Sequence, residues 1–212
     1  MKGKLIVLEG IDGAGKATQA KLLAKRLRAE GIPLTTFKSP RYETPTGKIV
    51  KNALMGKYGD FVNLPPYISA LPYLLDFSAA QKEITAALKR GAVLCDRYIQ
   101  STLAFHSAKI PNTKKRRQFI KDIERIMYQE LELPRPDLII YVDTPPHIAQ
   151  KLLKNKKDQH EKNMSYQKRV AKTYASLATG GEWRTVHCIE SGKILSPKII
   201  HERIWRIVQT IL

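Results

Sequence analysis

LEGIDGAGKATQAKLL, residues 8–23, is the stretch of sequence that decides the fold. Gly10, Gly15 and Lys16 match the pattern G-x-x-x-x-G-K, in which glycine N–H groups and a lysine ammonium surround the oxygens of a phosphate. An apolar run precedes the loop and a helical pattern follows it, which is the context that this motif requires. A glycine-rich turn with a chance lysine does not explain that order. The stretch therefore predicts an α/β domain that binds a nucleotide where a helix begins.

The residue after the lysine departs from the pattern, because Ala17 stands where Ser or Thr normally contacts Mg²⁺. Magnesium keeps several waters and is held largely by phosphates, so one lost hydroxyl should weaken the metal site without abolishing it. Thr18 cannot replace the ligand, because adjacent helix residues point about 100° apart. We expect the whole loop to hold the phosphates of ATP: Gly10, Gly13, Ala14, Gly15, Lys16, Ala17 and Thr18.

Outward from this loop, short apolar runs alternate with helical patterns. The apolar runs predict strands over 5–10, 34–39, 92–95, 138–143 and 185–189. The helical patterns predict helices over about 16–30, 44–57, 65–90, 112–131 and 197–212. Short apolar strands separated by helices indicate a mainly parallel sheet that is covered on both faces. We therefore predict a single α/β domain over residues 1–212, with ligands at the carboxyl ends of the strands.

The charge of the chain is unusual, with a net value of +18 and a pI near 9.9. Such a balance can mark a nucleic-acid-binding protein. The lysines are spread along the chain, however, and the densest basic run, KKRR at 114–117, is more typical of a solvated helix face. We expect no nucleic-acid partner. A nucleotide-dependent nucleic-acid-binding or regulatory protein stays as an alternative, which the charge and Ala17 favour.

The sequence also predicts the compartment. Its first residues, MKGKLIVLEGIDG, form an apolar run shorter than we expect of a signal peptide, and no stretch approaches the roughly 20 apolar residues that cross a bilayer. Cys95 and Cys188 lie in apolar runs without a second cysteine or a histidine at metal-ligand spacing, which predicts reduced core thiols. We expect a soluble, cytoplasmic protein with no membrane partner.

The segment CDRYIQS, residues 95–101, directly follows the third predicted strand. Ligands gather where parallel strands end, so Asp96 and Arg97 should lie close to the first loop. The carboxylate suits Mg²⁺ or one of its waters, and the guanidinium suits bridging a donor and an acceptor phosphate. The alternative is an ordinary Asp–Arg ion pair at a strand end, and the neighbouring phosphate loop makes this interpretation less favoured.

Two further segments give weaker signals. SPRYETPTGK, residues 39–48, offers Arg41 as a planar fork for a phosphate and Tyr42 as a cap on the same group. Residues 151–170 mix acidic and basic side chains, which suits a mobile lid over about 151–165 that closes cations over the phosphates. An exposed turn and a solvated charged hairpin would look similar.

In this order the motifs resemble those of the thymidylate (dTMP) kinases, a group of P-loop nucleoside monophosphate kinases. The resemblance covers nearly the whole chain and rests on EGIDGAGKATQ at 9–19, PRY at 40–42, DRYIQS at 96–101, PDLIIYVDTPP at 136–146 and KKDQHEK at 156–162. It implies a five-stranded parallel sheet flanked by helices, with a short mobile lid. It also implies transfer of the γ-phosphoryl group of ATP to dTMP with Mg²⁺, and a homodimer. A related kinase with altered or broad acceptor choice stays as an alternative.

The resemblance assigns roles by position. Asp12 would contact the sugar 3′-hydroxyl of the acceptor, and Tyr73 would stack on its base. The implied catalytic residues are Lys16, Asp12, Arg97, Lys154 and Lys157. The implied acceptor-binding residues are Asp12, Arg41, Tyr42, Tyr73, Phe77, Arg97, Ser101, Thr102 and Tyr166, and Asp12 and Asp96 would hold the metal.

Several positions depart from the family pattern. Phe77 stands where the family usually has an arginine that reads a base carbonyl, and Thr102 stands where Asn or Ser commonly meets the base edge. His106 and Ser107 replace a frequent Gln-Gly. The lid offers lysines where arginine is usual, at Lys154, Lys156 and Lys157. Lysine supplies charge without a bidentate fork, so the scaffold matches the family better than the base-reading residues do.

Overall fold

The computed structural model describes residues 3–61, 63–153 and 163–212. Five strands form one parallel sheet in the order β2-β3-β1-β4-β5. The strands are β1 Leu5–Glu9, β2 Leu34–Lys38, β3 Ala92–Asp96, β4 Leu138–Asp143 and β5 Trp183–His187. The predicted five-stranded parallel sheet is therefore confirmed.

The helices cover both faces of this sheet. They are α1 Lys16–Ala29, α2 Pro45–Leu54, α3 Pro66–Arg90, α4 Ile99–Ser107, α5 Thr113–Arg125, α6 Pro146–Leu152, α7 Met164–Leu177 and α8 Pro197–Val208. A π-helical turn, Ile126–Glu130, continues α5. Helix starts follow local chemistry, because side-chain oxygens of Thr44, Asn112, Asn163 and Ser196 cap α2, α5, α7 and α8.

Several elements differ from the prediction. The fifth strand was predicted over 185–189 but begins at Trp183, which is buried and pairs with Ile139. Ile189–Glu190 instead pairs antiparallel with Lys193–Ile194, as a small hairpin of β6 and β7. The sequence analysis also did not predict α4, whose residues are almost all buried. A helix that is buried on every side lacks the polar face that the periodicity depends on.

The core is built on the three central strands. Every residue of β1 and β3 is buried, and so are all residues of β4 except Asp143. Cys95 and Cys188 are buried free thiols, as predicted, and burial raises the pKa of both. Within the described ranges, no helix has the length and apolar content needed to cross a membrane.

The register of two strands positions the site. β1 and β3 are neighbours, and Leu8 pairs with Asp96. The loop after β1 and the segment after β3 therefore begin side by side at one edge of the sheet, as the sequence predicts.

Candidate active site

The loop between β1 and α1 has the conformation of a phosphate-binding loop. Gly10, Gly13 and Gly15 take positive φ angles of +150°, +78° and +92°. A Cβ atom on Gly13 would lie 2.3 Å from the carbonyl oxygen of Ala149, so no side chain fits there. α1 starts directly after Gly15. The loop therefore offers backbone N–H groups and the positive end of a helix to an anion.

Lys16 is poised as a cation beside this loop. Its side chain is buried, and its Nζ donates to the carbonyl oxygen of Ile11 at 2.7 Å. Burial and the nearby Arg97 lower the pKa of Lys16 to about 8, although Asp12 and Asp96 oppose the shift. A bound phosphate would add negative charge to that of the Asp12 and Asp96 carboxylates beside the buried ammonium.

Arg97 follows β3 in an unusual backbone conformation. Its φ is +72°, a left-handed conformation that costs a non-glycine residue about 1–3 kcal/mol. Its guanidinium donates to the carbonyl oxygen of Gly10 at 3.1 Å and to the Ser101 hydroxyl at 3.0 Å, and it forms a salt bridge with Asp12. Burial acts to lower the pKa of the guanidinium, but the Asp12 carboxylate holds it above its usual value. Arg97 therefore stays charged at the end of the sheet.

Asp12 is held on both carboxylate oxygens. One oxygen accepts from Arg97, and the other accepts from Nε2 of Gln167 at 2.8 Å. Gln167 lies on α7, so this hydrogen bond joins the phosphate loop to the helix that follows the lid segment. The sequence analysis missed Gln167, because a neutral side chain in a charged segment carries no motif.

The buried carboxylate of Glu9 supports this arrangement through its hydrogen bonds. Glu9 is fully buried at the end of β1 and accepts from the backbone N–H of Tyr98 at 2.8 Å and the hydroxyl of Tyr174 at 2.7 Å. It also accepts from the Ser101 hydroxyl at 2.6 Å. Burial raises the pKa of Glu9, while the charge of Arg97 lowers it. The signal for Glu9 was a carboxylate at the end of an apolar strand, directly before the loop.

Two cavities meet at these residues. The larger, of about 620 Å³, extends along the phosphate loop, and the smaller, of about 60 Å³, lies against α4. Four residues line both cavities: Asp12, Pro40, Tyr42 and Arg97. Molecules bound in the two cavities would meet at these residues, which suits the transfer of a group from one to the other.

Comparison with known proteins agrees with this geometry. The sequence model of the family described as "Thymidylate kinase" matches residues 8–199. The chain is 31% identical over 196 residues to a thymidylate kinase of Mycobacterium tuberculosis strain H37Rv, covering 86% of this chain and 90% of that protein. It is 32% identical over 221 residues to a thymidylate kinase of Thermomicrobium roseum, covering 98% of this chain and 95% of that protein. The chain belongs to the thymidylate kinase family.

The fold agrees as well. A solved thymidylate kinase from Candida albicans superposes with a TM-score of 0.78 at 23% identity, covering 99% of this chain and 92% of that one. The prediction of an ATP-dependent kinase that converts dTMP to dTDP is confirmed by the family match.

Most residues predicted from the thymidylate kinase pattern lie at the cavities. The larger cavity is lined by Gly13, Ala14, Gly15, Lys16, Ala17, Thr18 and Asp96, together with Asp12. The smaller cavity is lined by Tyr42, Tyr73, Ser101 and Thr102, together with Asp12 and Arg97. The carbonyl oxygen of Gly10 accepts from Arg97. Lys154, Lys156 and Lys157 lie outside the described residues.

The structure does not bring three predicted acceptor residues into the smaller cavity. Arg41 donates to both the side chain and the backbone of Asp76 and pairs with Glu83. Phe77 is buried in the core with its ring edge-on to Tyr98, 5.3 Å between centroids. Arg41 is held away from the smaller cavity by its hydrogen bonds to Asp76, and Phe77 is held away by its burial in the core.

Tyr166 is the third of these residues. It is 1% exposed, and its hydroxyl donates to the carbonyl oxygen of Phe105 at 2.6 Å. Its ring also packs edge-on to Phe105, with 6.2 Å between centroids. In this conformation Tyr166 supports the wall of the acceptor cavity, because Phe105 lines it.

Proposed function

We propose that ATP binds in the larger cavity, that dTMP binds in the smaller one, and that the γ-phosphoryl group passes between them beside Asp12 and Arg97. The observation that carries this assignment is the set of four residues shared by the two cavities. The apolar wall of the larger cavity suits an adenine ring, and it is formed by Leu152, Leu153, Ile194, Leu195 and Ile200.

Phosphoryl transfer from ATP to dTMP depends on the alignment of the two phosphates more than on proton transfer. The phosphate of dTMP is a monoester with a second pKa of about 6, so at neutral pH it is already a nucleophile and needs no general base. Lys16 stabilises charge on the β- and γ-phosphates, and Arg97 bridges donor and acceptor phosphates. Asp12, which accepts hydrogen bonds from Arg97 and Gln167, would also accept one from the sugar 3′-hydroxyl. Catalysis then comes from positioning and charge stabilisation.

The oxygen atoms available in the larger cavity support a magnesium site with few protein ligands. Among the described residues, no cluster of three or more His, Cys, Asp or Glu side chains is placed to hold a metal ion. Asp96 lines the larger cavity beside the phosphate loop, and Asp12 lies across from it. Mg²⁺ needs few protein oxygens when phosphates and waters supply the rest, so Asp96 and Asp12 fit it. When bound, Mg²⁺ neutralises charge on the transferring phosphoryl group.

Ala17→Ser should lower the Mg²⁺ concentration that gives half-maximal rate. The new hydroxyl would lie where the motif normally supplies a metal ligand, and it would add one oxygen to a site that now has few. The measurement is initial rate against free Mg²⁺ at saturating ATP and dTMP, with Ala20→Ser on the same helix as the control. An unchanged Mg²⁺ curve would refute the altered metal site.

Further assignments rest on the same resemblance. We infer a single kinase domain over residues 1–212, with a lid over about 151–165 whose Lys154 and Lys157 supply transition-state charge. The mixed charge of that segment supports the lid. A cytoplasmic location and the absence of a nucleic-acid partner fit a small-molecule kinase with dispersed lysines, and filter binding to DNA and RNA at several salt concentrations tests the second point.

We also infer a homodimer. Tyr67, Ile68, Leu71 and Leu75 are each about half exposed, and their spacing puts them on one side of α3. An exposed apolar stripe of this kind is typical of a protein interface. Sedimentation velocity would measure the dimer, and a monomer at micromolar concentration would contradict it.

The experiment that tests the proposed function measures ADP release from ATP and Mg²⁺ with dTMP, dUMP, UMP, CMP, AMP and GMP. We expect fast turnover with dTMP and much slower turnover with the others. Faster turnover with another monophosphate would contradict the dTMP assignment, and ATP binding without turnover of any acceptor would contradict catalysis.

A further inference from the structure

The chain segment that follows β2 is anchored to a buried carboxylate on α3. Asp76 is 1% exposed, and its Oδ2 accepts from the backbone N–H of Arg41 at 3.0 Å. Its Oδ1 accepts from Nε of Arg41 at 3.3 Å and from the Thr46 hydroxyl at 2.8 Å. The carbonyl oxygen of Asp76 accepts from a terminal nitrogen of the same guanidinium at 2.9 Å. One residue of α3 is therefore bonded both to the segment after β2 and to the first turn of α2.

The chain between Arg41 and α2 is tightly held as well. The carbonyl oxygen of Arg41 accepts from the backbone N–H of Thr44 at 2.9 Å and from its hydroxyl at 2.8 Å. The same hydroxyl caps α2 by accepting from the backbone N–H of Gly47 at 3.1 Å. No Cβ atom fits on Gly47, because it would overlap the carbonyl oxygen of Arg41. A change at Asp76 should therefore displace Arg41 and the start of α2 together.

The anchored segment forms part of the junction between the two cavities. Pro40 and Tyr42, on either side of Arg41, line both cavities. The other two shared residues are Asp12 and Arg97. Asp76 itself lies outside the lining of both cavities. It can therefore influence the junction only through the segment that it holds.

The helix that carries Asp76 also forms a wall of the smaller cavity. Tyr73 lines that cavity and lies three residues before Asp76, so the two residues share one side of α3. Tyr42 and Tyr73 both pack against one apolar cluster, formed by Val50, Ala53, Leu54 and Phe61. The anchor at Asp76 thus fixes the segment after β2 relative to the wall of the smaller cavity.

Water is the competitor of dTMP at this junction. When a water oxygen attacks the γ-phosphorus, the bond to ADP breaks, and the products are ADP, inorganic phosphate and a proton. An active site that transfers the phosphoryl group to another molecule must keep water away from the point of transfer. Among the four shared residues, Pro40 and Tyr42 are the ones that present apolar ring surface there.

We propose that Asp76 is a positioning residue that directs the γ-phosphoryl group to dTMP and away from water. It acts by holding Arg41 and Thr46, which keeps the rings of Pro40 and Tyr42 at the junction of the cavities. This inference rests on the proposed function, in which ATP and dTMP occupy the two cavities. In this arrangement the Arg41 guanidinium neutralises the buried carboxylate and joins two elements of the fold.

The test measures ADP and dTDP separately, at saturating ATP and dTMP. The wild type should form about one dTDP for each ADP. Asp76→Asn keeps the shape of the side chain but loses its charge and one acceptor oxygen. It should lower dTDP formation by roughly tenfold to a hundredfold, the scale of a displaced positioning group, while ADP formation falls less. The ADP/dTDP ratio should therefore rise to about two or more.

This ratio separates positioning from a loss of folded protein. Unfolded enzyme forms neither product, so a smaller folded fraction lowers both rates and leaves the ratio unchanged. KM for ATP should change little in Asp76→Asn, because the glycine-rich loop that holds the phosphates is not bonded to Asp76.

Thr46 provides a second test at the other end of the anchor. Thr46→Val removes the hydroxyl that donates to Oδ1 of Asp76, and it should raise the ADP/dTDP ratio. Thr46→Ser keeps that hydroxyl and should restore the wild-type ratio. Glu83→Gln is the matched control, because Glu83 is an exposed carboxylate that also pairs with Arg41, at 3.4 Å. It should keep the wild-type kcat, KM and ratio.

The outcomes distinguish this inference from the proposed function. A wild-type ADP/dTDP ratio in both Asp76→Asn and Thr46→Val, even with slower turnover, would overturn the inference alone. A ratio that rises as much in Thr46→Ser as in Thr46→Val would also overturn it, because the hydroxyl would then not be the link. Should Asp76→Asn fail to fold, the two Thr46 variants decide between these results. A wild type that phosphorylates none of the monophosphates would overturn the proposed function and this inference with it.

Discussion

Lys16→Ala should lower kcat for phosphorylation of dTMP by about 10³–10⁵-fold, the scale of a single key cation in phosphoryl transfer. The ammonium is buried beside the phosphate loop, and its partner in the protein is the neutral carbonyl oxygen of Ile11. Charge that develops on the transferring phosphoryl group would therefore be its strongest ionic partner in the cavity. Single-turnover rates of ADP formation measure the effect. Lys25→Ala removes an exposed lysine from the same helix and should leave the rate unchanged.

The pH dependence follows from the same burial. Because the pKa of Lys16 is lowered to about 8, the free enzyme loses the positive charge as the pH rises above that value. We expect kcat/KM for ATP to fall above about pH 8, and kcat at saturating ATP to hold to higher pH, because bound phosphates favour the charged form. The lowered pKa also means that the protonated lysine costs folding stability below about pH 8, and that stability recovers between pH 8 and the unfolded value near 10.5.

Lys16→Met separates catalysis from folding. It fills a similar volume without a buried charge, so it should unfold at a higher temperature than the wild type at pH 7 while its turnover falls as far as that of Lys16→Ala. Its stability should lack the rise between pH 8 and about 10.5 that the wild type shows. Turnover within tenfold of the wild type in either variant would contradict the role assigned to Lys16.

The sequence predicts the phosphate end of this site well, because the residues there serve backbone geometry as well as chemistry. Gly13 is required where a Cβ would meet the backbone of Ala149, and Arg97 follows a strand whose register places it beside the first loop. Such constraints leave fixed spacings in the sequence. The same holds for the sheet, whose buried strands appear as apolar runs.

The base end is harder to predict, because it depends on contacts between distant elements. His106 meets Ser69 on α3 across 37 positions of sequence, and Gln167 meets Asp12 across 155. Neither pair has a motif, so a single sequence does not reveal them. The sequence did not predict α4 for a related reason, because burial on all sides removes the helical periodicity of apolar and polar residues. Phe77 and Arg41 show a different difficulty. Each lies at a position that the family pattern assigns to acceptor binding, but its side chain packs against Tyr98 or pairs with Asp76 instead.

Arg97→Ala should lower kcat by about 10³–10⁵-fold as well, and unlike Lys16→Met it should destabilise the protein. The guanidinium is the cation paired with Asp12, and it also lies beside the fully buried Glu9. The side chains of Arg97 and Asp12 are 15% and 18% exposed, so the uncompensated charge left by removing one partner should cost less than the roughly 3–5 kcal/mol typical of a fully buried ion pair. Chemical denaturation at pH 7 measures that loss, and the ADP-release assay measures kcat at a temperature where the variant is folded.

Two further variants distinguish the catalytic effect from the structural one. Arg97→Lys keeps the charge without the planar fork, so it should regain most of the stability but little of the rate, because one ammonium cannot bridge two phosphates in a bidentate way. Arg26→Ala removes an arginine that pairs with Glu202 and lies over the ring of Trp205, and that lines neither cavity. It should lose stability and keep kcat. Added guanidinium ion should partly restore the rate of Arg97→Ala, since the cavity left behind fits that cation. Near-normal turnover in Arg97→Ala would mean that the segment after β3 does not bridge the phosphates, and the transfer point would then have to lie at the loop and lid alone.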